Sequence, residues 1–292
     1  MEHQLWSEVQ ARIARLAPPK SVHCDYSDAD IARTYYWAVL HDRPTCWACD
    51  RKNWPLHDRR RPLPPPWTMS RRLRCPSVAA LLEALDRDVL GPAGDPPLLH
   101  RLDGKPLPIG GCSQDRQAGY GRAAGCKAKG YKLHALVGGD GSLPAWRIAP
   151  MNKDERVMAR RLLRQAEVQG YVLADGNFDD NALHAICDGK GELQLLTPRR
   201  HADAKGLGHR KQAAGRLRCI ARLTDPVSDF GRSLLAERAA VERYFGNLTS
   251  FGAGLTHLPP WARGHRRVRR WVQAKLVLNR LRMQLRQQTY VA

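Results

Sequence analysis

Apolar positions in the first 97 residues recur at the three- and four-residue spacing of amphipathic helices. Ser27 and Asp30 have the spacing of a capping box, which marks the start of one of these helices. Prolines and arginines dominate residues 59–67 and indicate a linker or an extended basic strap. The pattern predicts four helices, over residues 8–16, 29–40, 68–74 and 77–90.

A Gly/Pro-rich stretch at residues 91–97 precedes a change in this pattern. Beyond it, short apolar or alternating runs typical of strands alternate with helical runs. Strands are predicted over residues 98–102, 129–137, 142–149, 171–174 and 192–197, and helices over residues 152–169, 180–187 and 233–250. This order predicts an α/β domain, a mixed sheet flanked by helices, over residues 98–292, preceded by a small helical region over residues 1–97.

Positive charge is in large excess, with 48 Lys and Arg residues against 28 Asp and Glu residues and a net charge of +20. Such a field attracts polyanions, and nucleic acid is the commonest partner of proteins of this kind. An anionic membrane surface is the competing interpretation. The sequence has no run of roughly 20 apolar residues that would span a bilayer and no signal-peptide pattern, so we expect a cytosolic protein that does not enter membranes.

The helical region before residue 98, with its arginine-rich turn, suits DNA binding in the manner of a helix-turn-helix. A packing subdomain with a solvated basic face is an equally good interpretation. The eight cysteines of the chain predict reduced thiols, because a cytosolic protein keeps few disulfides. Cys46 and Cys49 have the C-x-x-C spacing of half a zinc site or of a redox pair. Further zinc ligands would have to come from neighbours in the sequence, which are His41, His57, Cys24 and Cys75.

Three acidic residues lie where a phosphodiester-cleaving site would need them. Asp103 follows the first predicted strand of the α/β domain, and Asp175 follows a later one. Glu242 lies in a helix that is apolar on more than one side, four residues after Arg238. Carboxylates from separate elements can hold two divalent ions roughly 3.5–4 Å apart, which stabilise the attacking and leaving oxygens. The alternatives are Asp-Gly turns for the two aspartates and a solvated surface position for Glu242.

The motifs around these acids resemble those of the DDE transposases of bacterial insertion sequences. The matching stretches begin at Asp103 (DGK), Lys129 (KGYKLHALV), Leu143 (LPAWR), Leu173 (LADGNFDD) and Arg238 (R-x3-ERYFGNL). The resemblance extends over roughly residues 98–284. It implies an RNase H-like fold in which the first, second and third acids hold two Mg²⁺ or Mn²⁺ ions.

The same resemblance implies a function and a set of partners. It predicts metal-dependent cleavage at transposon ends and strand transfer into target DNA, by a homodimer in the bacterial cytosol or nucleoid. Two departures concern the family signature Y-x2-R-x3-E-x6-K, since Leu235 replaces its tyrosine and Thr249 its lysine. A mechanism through a hairpinned DNA end is therefore in doubt. The rival functions are a nuclease of the same fold that does not join DNA, and an inactive DNA-binding descendant of a transposase.

Basic residues cluster in two stretches that we expect to contact DNA phosphates. One is a glycine-containing basic loop over residues 199–222, and the other is a helical segment over residues 263–286 with an apolar face and a basic face. A helix of the second kind also suits an anionic lipid surface or a partner protein. The predicted DNA contacts are Lys127, Lys129, Lys132, Arg199, Arg200, Arg238, Arg266, Arg267, Arg269 and Arg270.

Overall fold

Helices and strands alternate along the chain in a computed structural model that describes residues 2–92, 94–110, 113–123, 125–199, 211–250, 254–255 and 257–291. The helices before the sheet are α1 (Glu2–Leu16), α2 (Asp28–Leu40), α3 (Pro66–Arg72) and α4 (Pro76–Leu90). The central elements are β1 (Leu99–Pro108), β2 (Gly119–Ala123), β3 (Cys126–Gly138), β4 (Ala145–Pro150), α5 (Glu155–Gln165), β5 (Gly170–Leu173), α6 (Asn181–Asp188) and β6 (Leu193–Leu196). The last helices are α7 (Ala214–Leu223), α8 (Phe230–Ala236), α9 (Ala240–Ser250) and α10 (His265–Val291).

A six-stranded mixed sheet forms the centre of the fold. Its strand order is β2-β3-β1-β5-β6, and β4 pairs with β3 on the same side as β2. Strands β1 to β4 pair antiparallel, whereas β1, β5 and β6 run parallel to one another. The predicted mixed sheet flanked by helices is therefore confirmed, although the short edge strand β2 was not among the predicted elements.

Strand β1 is longer than the predicted run over residues 98–102, because it continues through Pro106 and Pro108. Its parallel pairing with β5 ends at Arg101, whereas its antiparallel pairing with β3 continues to Pro108. The amide of Ile109 bonds to β3, so the nitrogens of Pro106 and Pro108, three and one residues before it, point to the open side. Proline is tolerated at such an edge, where no ladder bond is lost.

The two faces of the sheet are covered by different helices. Leu102 of β1 packs with residues of α5 and α6 on one face. On the other face, one apolar cluster joins residues of β1 and β3 to α9, α10 and the helices α1, α2 and α4. The predicted boundary between residues 97 and 98 thus lies between α4 and β1, but a single core crosses it.

Helix α10 differs from the predicted amphipathic basic helix. Residues 271–281 are all buried, because α1, α2 and α4 pack around this part of the helix together with α9. Its polar side chains are satisfied inside the protein: Gln273 Nε2 donates to the Leu82 carbonyl, and Lys275 pairs with Asp42. The interpretation of the whole segment as a basic face along DNA is therefore wrong for these residues.

Local signals at helix ends were only partly correct. The Ser27–Asp30 capping box is present, with each side chain bonded to the other residue's backbone amide. Helix α5 starts later than predicted, with Asp154 as its N-cap in place of Asn152. The predicted helix over residues 233–250 is interrupted by a 3-10 turn at Glu237–Ala239, which separates α8 from α9.

Candidate active site

Asp103 lies on β1, and Asp175 lies just after the end of the neighbouring strand β5. The last parallel pair of β1 and β5 joins Arg101 to Leu173, and each aspartate follows two residues later in its own segment. Residues two apart in a strand share a face, so Arg101 and Asp103 project from the side of the sheet that α9 and α10 cover. Asp103 lies inside β1, not at its end as predicted, but at the point where β1 has just lost its parallel neighbour.

The two carboxylates interact electrostatically. Burial, with smaller contributions from the negative charges of Asp175 and Glu155, raises the pKa of Asp103 to about 6, against the lowering effects of the Gly104 amide and Arg238. Asp103 Oδ1 accepts from the Gly104 amide at 2.7 Å, and Asp175 Oδ1 accepts from the Asn177 amide at 2.8 Å. Within the described chain, no side chain donates a hydrogen bond to either carboxylate. Negative charge is therefore concentrated at this point without a bonded counter-cation.

Arg101 fixes the start of the segment that carries Arg238 and Glu242. Its Nε donates to the Glu237 carbonyl at 2.6 Å, and its Nη2 approaches the Glu237 carboxylate at 3.2 Å. The Arg101 residue is only 7% exposed, whereas the Glu237 side chain is 56% exposed, so water reaches the contact from the Glu237 side. Sequence analysis overlooked Arg101, although its position two residues before Asp103 on the same strand was a usable signal.

Arg238 links the first and the third candidate acids. Its guanidinium lowers the pKa of Asp103, against the dominant effect of burial, and its Nη2 lies 3.8 Å from Glu242 Oε1. The Glu242 side chain is 69% exposed on α9. Among the described residues, no three His, Cys, Asp or Glu side chains are grouped closely enough to hold a metal ion. The structure thus brings Asp103 and Asp175 together and leaves Glu242 nearby, joined to the pair through Arg238.

Glu155 is a further acid at this site that sequence analysis missed. It lies in the first turn of α5 and pairs with Lys132 of β3. After the larger effect of burial, its negative charge is one of the causes that raise the pKa of Asp103. That ion pair occupies Lys132, which was a predicted DNA contact. No local sequence signal identifies Glu155, because its position depends on how α5 packs against the strands.

The donor set suits a hard divalent cation. Asp103 and Asp175 supply carboxylate oxygens, the ligands that Mg²⁺ and Mn²⁺ prefer, and each has an oxygen that accepts no hydrogen bond from the described residues. A cation there would favour the ionised form of Asp103, whose pKa is raised by burial and, less strongly, by the charge of Asp175. The chemistry of the two aspartates therefore fits the metal that the fold implies, although no third Asp, Glu, His or Cys side chain is grouped with them among the described residues.

The three lysines predicted to contact DNA differ in whether their ammonium groups are already bonded within the protein. Lys127 is exposed, and its ammonium lies 5.7 Å from the centre of the Tyr120 ring. Lys129 Nζ donates to the Ser113 carbonyl at 2.8 Å. Together with the Lys132–Glu155 pair, this leaves Lys127 as the most accessible of the three predicted lysines.

The arginines at the start of α10 are divided in the same way. Arg266 and Arg267 are exposed. Arg269 lies 3.4 Å from Glu83, and Arg270 donates to the Leu73 carbonyl at 2.5 Å and packs over the Tyr35 ring. Helix α10 therefore offers two free guanidinium groups in this region, not four.

The predicted basic loop is partly a helix. Arg199 is partly exposed, whereas Arg200 lies outside the described residues. Arg216 and Arg218 belong to α7 and pair with Asp179 and Asp188, respectively. These two arginines hold α7 against α6 and are not available as a DNA-gripping loop.

The C-x-x-C pair shows no sign of activation. Cys46 is an exposed free thiol, and burial raises the pKa of Cys49 to about 11, with Cys46 as a smaller cause. A raised pKa keeps Cys49 protonated at neutral pH, whereas metal binding and thiol exchange both use the thiolate. The seven cysteines that the structure describes are all free.

A mixed sheet with helices on both faces, which carries Asp103 on β1 and Asp175 just after β5, has the architecture of an RNase H-like domain. The model of the transposase DDE domain family matches residues 101–279, well over half of the chain. The chain therefore belongs to the DDE transposase family, and its function is of the transposase type. No curated protein matches it. No helix in the described part of the chain is long and apolar enough to cross a membrane.

Proposed function

We propose that this transposase cuts DNA at the ends of its element and joins the freed 3′-hydroxyl to target DNA. The observation that carries the proposal is the Asp103–Asp175 pair, whose carboxylates interact electrostatically where β1 passes the end of β5. Asp103, Asp175 and Glu242 act as the three acids of the family motif and hold two Mg²⁺ or Mn²⁺ ions. Bound there, the ions activate the attacking oxygen and stabilise the leaving one.

Each residue around the pair has a distinct part in this proposal. Asp103 and Asp175 supply two fixed oxygen ligands from the sheet, and Glu242 supplies the third from α9. Arg101 holds the start of α9 in place through Glu237. Arg238 balances part of the negative charge of Asp103 and is placed to contact a phosphate when DNA binds.

Strand transfer and plain hydrolysis make different products. Incubation of the purified chain with Mg²⁺, a labelled DNA end from the region flanking its gene and a supercoiled target plasmid should yield labelled DNA joined to the plasmid. Cleavage products without joined molecules would assign the chain to the nuclease alternative. Binding without cleavage in either Mg²⁺ or Mn²⁺ would assign it to the inactive DNA-binding alternative.

A homodimer on DNA is the working form that we propose, because joining requires two ends to be held together. Mass determination of the complex with one labelled and one unlabelled end tests this. Two chains and both ends in a single complex are the expected result, and one chain with one end would contradict it.

A further inference from the structure

A cationic groove with a volume of about 780 Å³ lies between α3, α4 and the first half of α10. Five arginines and a single carboxylate, Glu83, line it. Arg74 comes from the region before the sheet, whereas Arg266 and Arg267 come from α10. The groove therefore has one wall from each end of the chain.

The free positive charge of the groove is concentrated on Arg266 and Arg267. Both side chains are exposed, and neither has an ion pair or hydrogen bond to the described residues. Their neighbours in the groove have internal partners: Arg269 faces Glu83, Arg270 bonds to a backbone carbonyl, and Arg74 bonds to Ser70. The paired arginines shape the groove, and the two free ones are left for a ligand.

The unpaired polar atoms of this groove are all of one kind. Trp261 Nε1 and Arg270 Nε are buried atoms of groove-lining residues, and neither has a hydrogen-bond partner within the described chain. Indole and guanidinium nitrogens only donate hydrogen bonds. The exposed guanidinium groups of Arg266 and Arg267 are also donors only, so a ligand of the groove must bring acceptors and negative charge. Phosphate groups have both properties.

The groove is separate from the candidate acids. His265 at the start of α10 contacts the Ile148 carbonyl, and Arg269 packs over Trp146, so the groove lies on the β4 side of the sheet. Asp103 lies on β1, and β3 separates β1 from β4. Two strand spacings amount to about 10 Å, so a phosphate in the groove is not the one that is cut.

We propose that this groove binds the phosphodiester backbone of duplex DNA beside the cleavage site. The assignment takes DNA to be the substrate, as in the proposed function, and adds where the flanking duplex is held. The helical region before the sheet is then one wall of a composite site, and it does not read DNA on its own. Contacts of this kind position DNA and carry little sequence information.

A double substitution in the full-length chain tests the groove. Arg266→Ala/Arg267→Ala is compared with Arg161→Ala/Arg164→Ala, which removes two exposed arginines from α5 on the opposite face of the sheet. Duplex binding is measured in EDTA between 50 and 200 mM salt. Each lost phosphate contact lowers the slope of log affinity against log salt by about 0.9. Between 50 and 200 mM salt, the fall in affinity of the groove variant should therefore be about tenfold smaller than that of the wild type. The α5 variant should keep the wild-type slope.

Further variants and ligands complete the test. Arg266→Lys/Arg267→Lys keeps both charges and should restore most of the slope. Equal effects of the groove and α5 variants, or an unchanged slope in the groove variant, would overturn the assignment. The assignment would also be overturned if the Arg266→Ala/Arg267→Ala variant lost binding to vesicles that contain anionic lipid but kept wild-type binding to DNA. Cleavage is measured separately in Mg²⁺. A wild-type chain that binds DNA through the groove but does not cut it contradicts only the proposed function. A wild-type chain that cuts DNA, together with an unchanged salt slope in the groove variant, contradicts only the groove assignment.

Discussion

Arg101 and Glu237 are joined beneath the start of α9, by a 2.6 Å bond from Nε to the backbone carbonyl and a 3.2 Å contact from Nη2 to the carboxylate. The pair connects the strand of the first acid to the segment that carries the third. Because the stronger of the two bonds goes to the backbone, the position of α9 depends on Arg101 more than on the Glu237 side chain. A residue that is not one of the three candidate acids thereby influences where Glu242 lies.

Arg101→Met should reduce the single-turnover cleavage rate by about a hundredfold, the effect expected when a catalytic group is misplaced by roughly 1 Å. Glu237→Gln is the matched control, because it keeps the bond to the carbonyl and should cost much less activity. Rates are measured at saturating chain, so that DNA binding does not limit them. Wild-type cleavage by a folded Arg101→Met variant would show that α9 needs no such anchor.

Asp103→Asn, Asp175→Asn and Glu242→Gln should each lower cleavage by more than about a hundredfold, since even an outer-shell partner of a metal commonly contributes that much. DNA binding in EDTA should remain, because it depends on Lys and Arg. Glu167→Gln, at an exposed position just after α5, removes a carboxylate away from the site and should cut normally. Near wild-type cutting by any of the three variants would exclude that residue from the site.

Arg216→Gln should destabilise the fold without changing the salt dependence of DNA binding. Arg216 makes two bonds of 2.7 Å to Asp179, whose side chain is almost fully buried. Removal of one partner of a buried pair costs about 3 kcal/mol, and here Asp179 would lose both bonds and the opposite charge that Arg216 supplies. Chemical denaturation measures this loss. Unchanged stability together with a flatter salt slope would place Arg216 on the DNA instead.

Asp86→Asn should stabilise the protein at pH 7.5 but not at low pH. Burial raises the pKa of Asp86 to about 6, despite the hydrogen bond from Trp146 Nε1. The folded-state pKa of Asp86 lies above the unfolded value of about 3.9. The contribution of this carboxyl group to the free energy of unfolding is therefore fully present below pH 4 and is lost as the pH rises through 6. The gain above pH 6 is at most about 3 kcal/mol, at 1.36 kcal/mol per unit of pKa.

The matched control for Asp86→Asn is Asp88→Asn, which makes the same change on the same helix. Unfolding free energies of both variants and the wild type are compared at pH 4.5 and pH 7.5. A gain for Asp86→Asn of the same size at both pH values would show that the ionised carboxylate is not the cause.

Lys275→Met should remove a rise in stability at alkaline pH. Lys275 is 1% exposed, and burial lowers its pKa to about 8, despite its pairing with Asp42. The unfolded chain, with a pKa near 10.4, binds more protons between pH 8 and pH 10.4, so this lysine makes the wild type more stable as the pH rises through that range. Unfolding at pH 7.5 and pH 10 measures the difference. The same rise in both proteins would contradict the assignment.

Local patterns predicted most elements of the fold correctly, because strand alternation and capping residues act over a few positions. The Ser27–Asp30 capping box is an example. Strand β1 was predicted too short, because an Asp-Gly pair reads as a turn, and the pairing that extends the strand comes from β3. Pro106 argued against a longer strand as well, because proline is compatible with a strand only at an open edge, and the sequence does not show that this part of β1 has one.

The candidate acids were predictable as motif positions, but their surroundings were not. Arg101 and Glu155 act on Asp103 or α9 from elements that are distant in sequence. Helix α10 was misinterpreted because its polar residues look solvent-exposed in the sequence. Their partners, such as Asp42 for Lys275 and Asp140 for Arg280, lie more than 100 residues away.

The burial of α10 among helices from the other end of the chain sets the order in which the protein can mature. A ribosome makes α1, α2 and α4 first, and the apolar faces that they turn toward α10 have no partner until α10 has emerged. This part of the core therefore closes only after α10 has been made. A copy of the gene that stops before residue 265 would yield a product without this core, and not a folded fragment that competes for DNA.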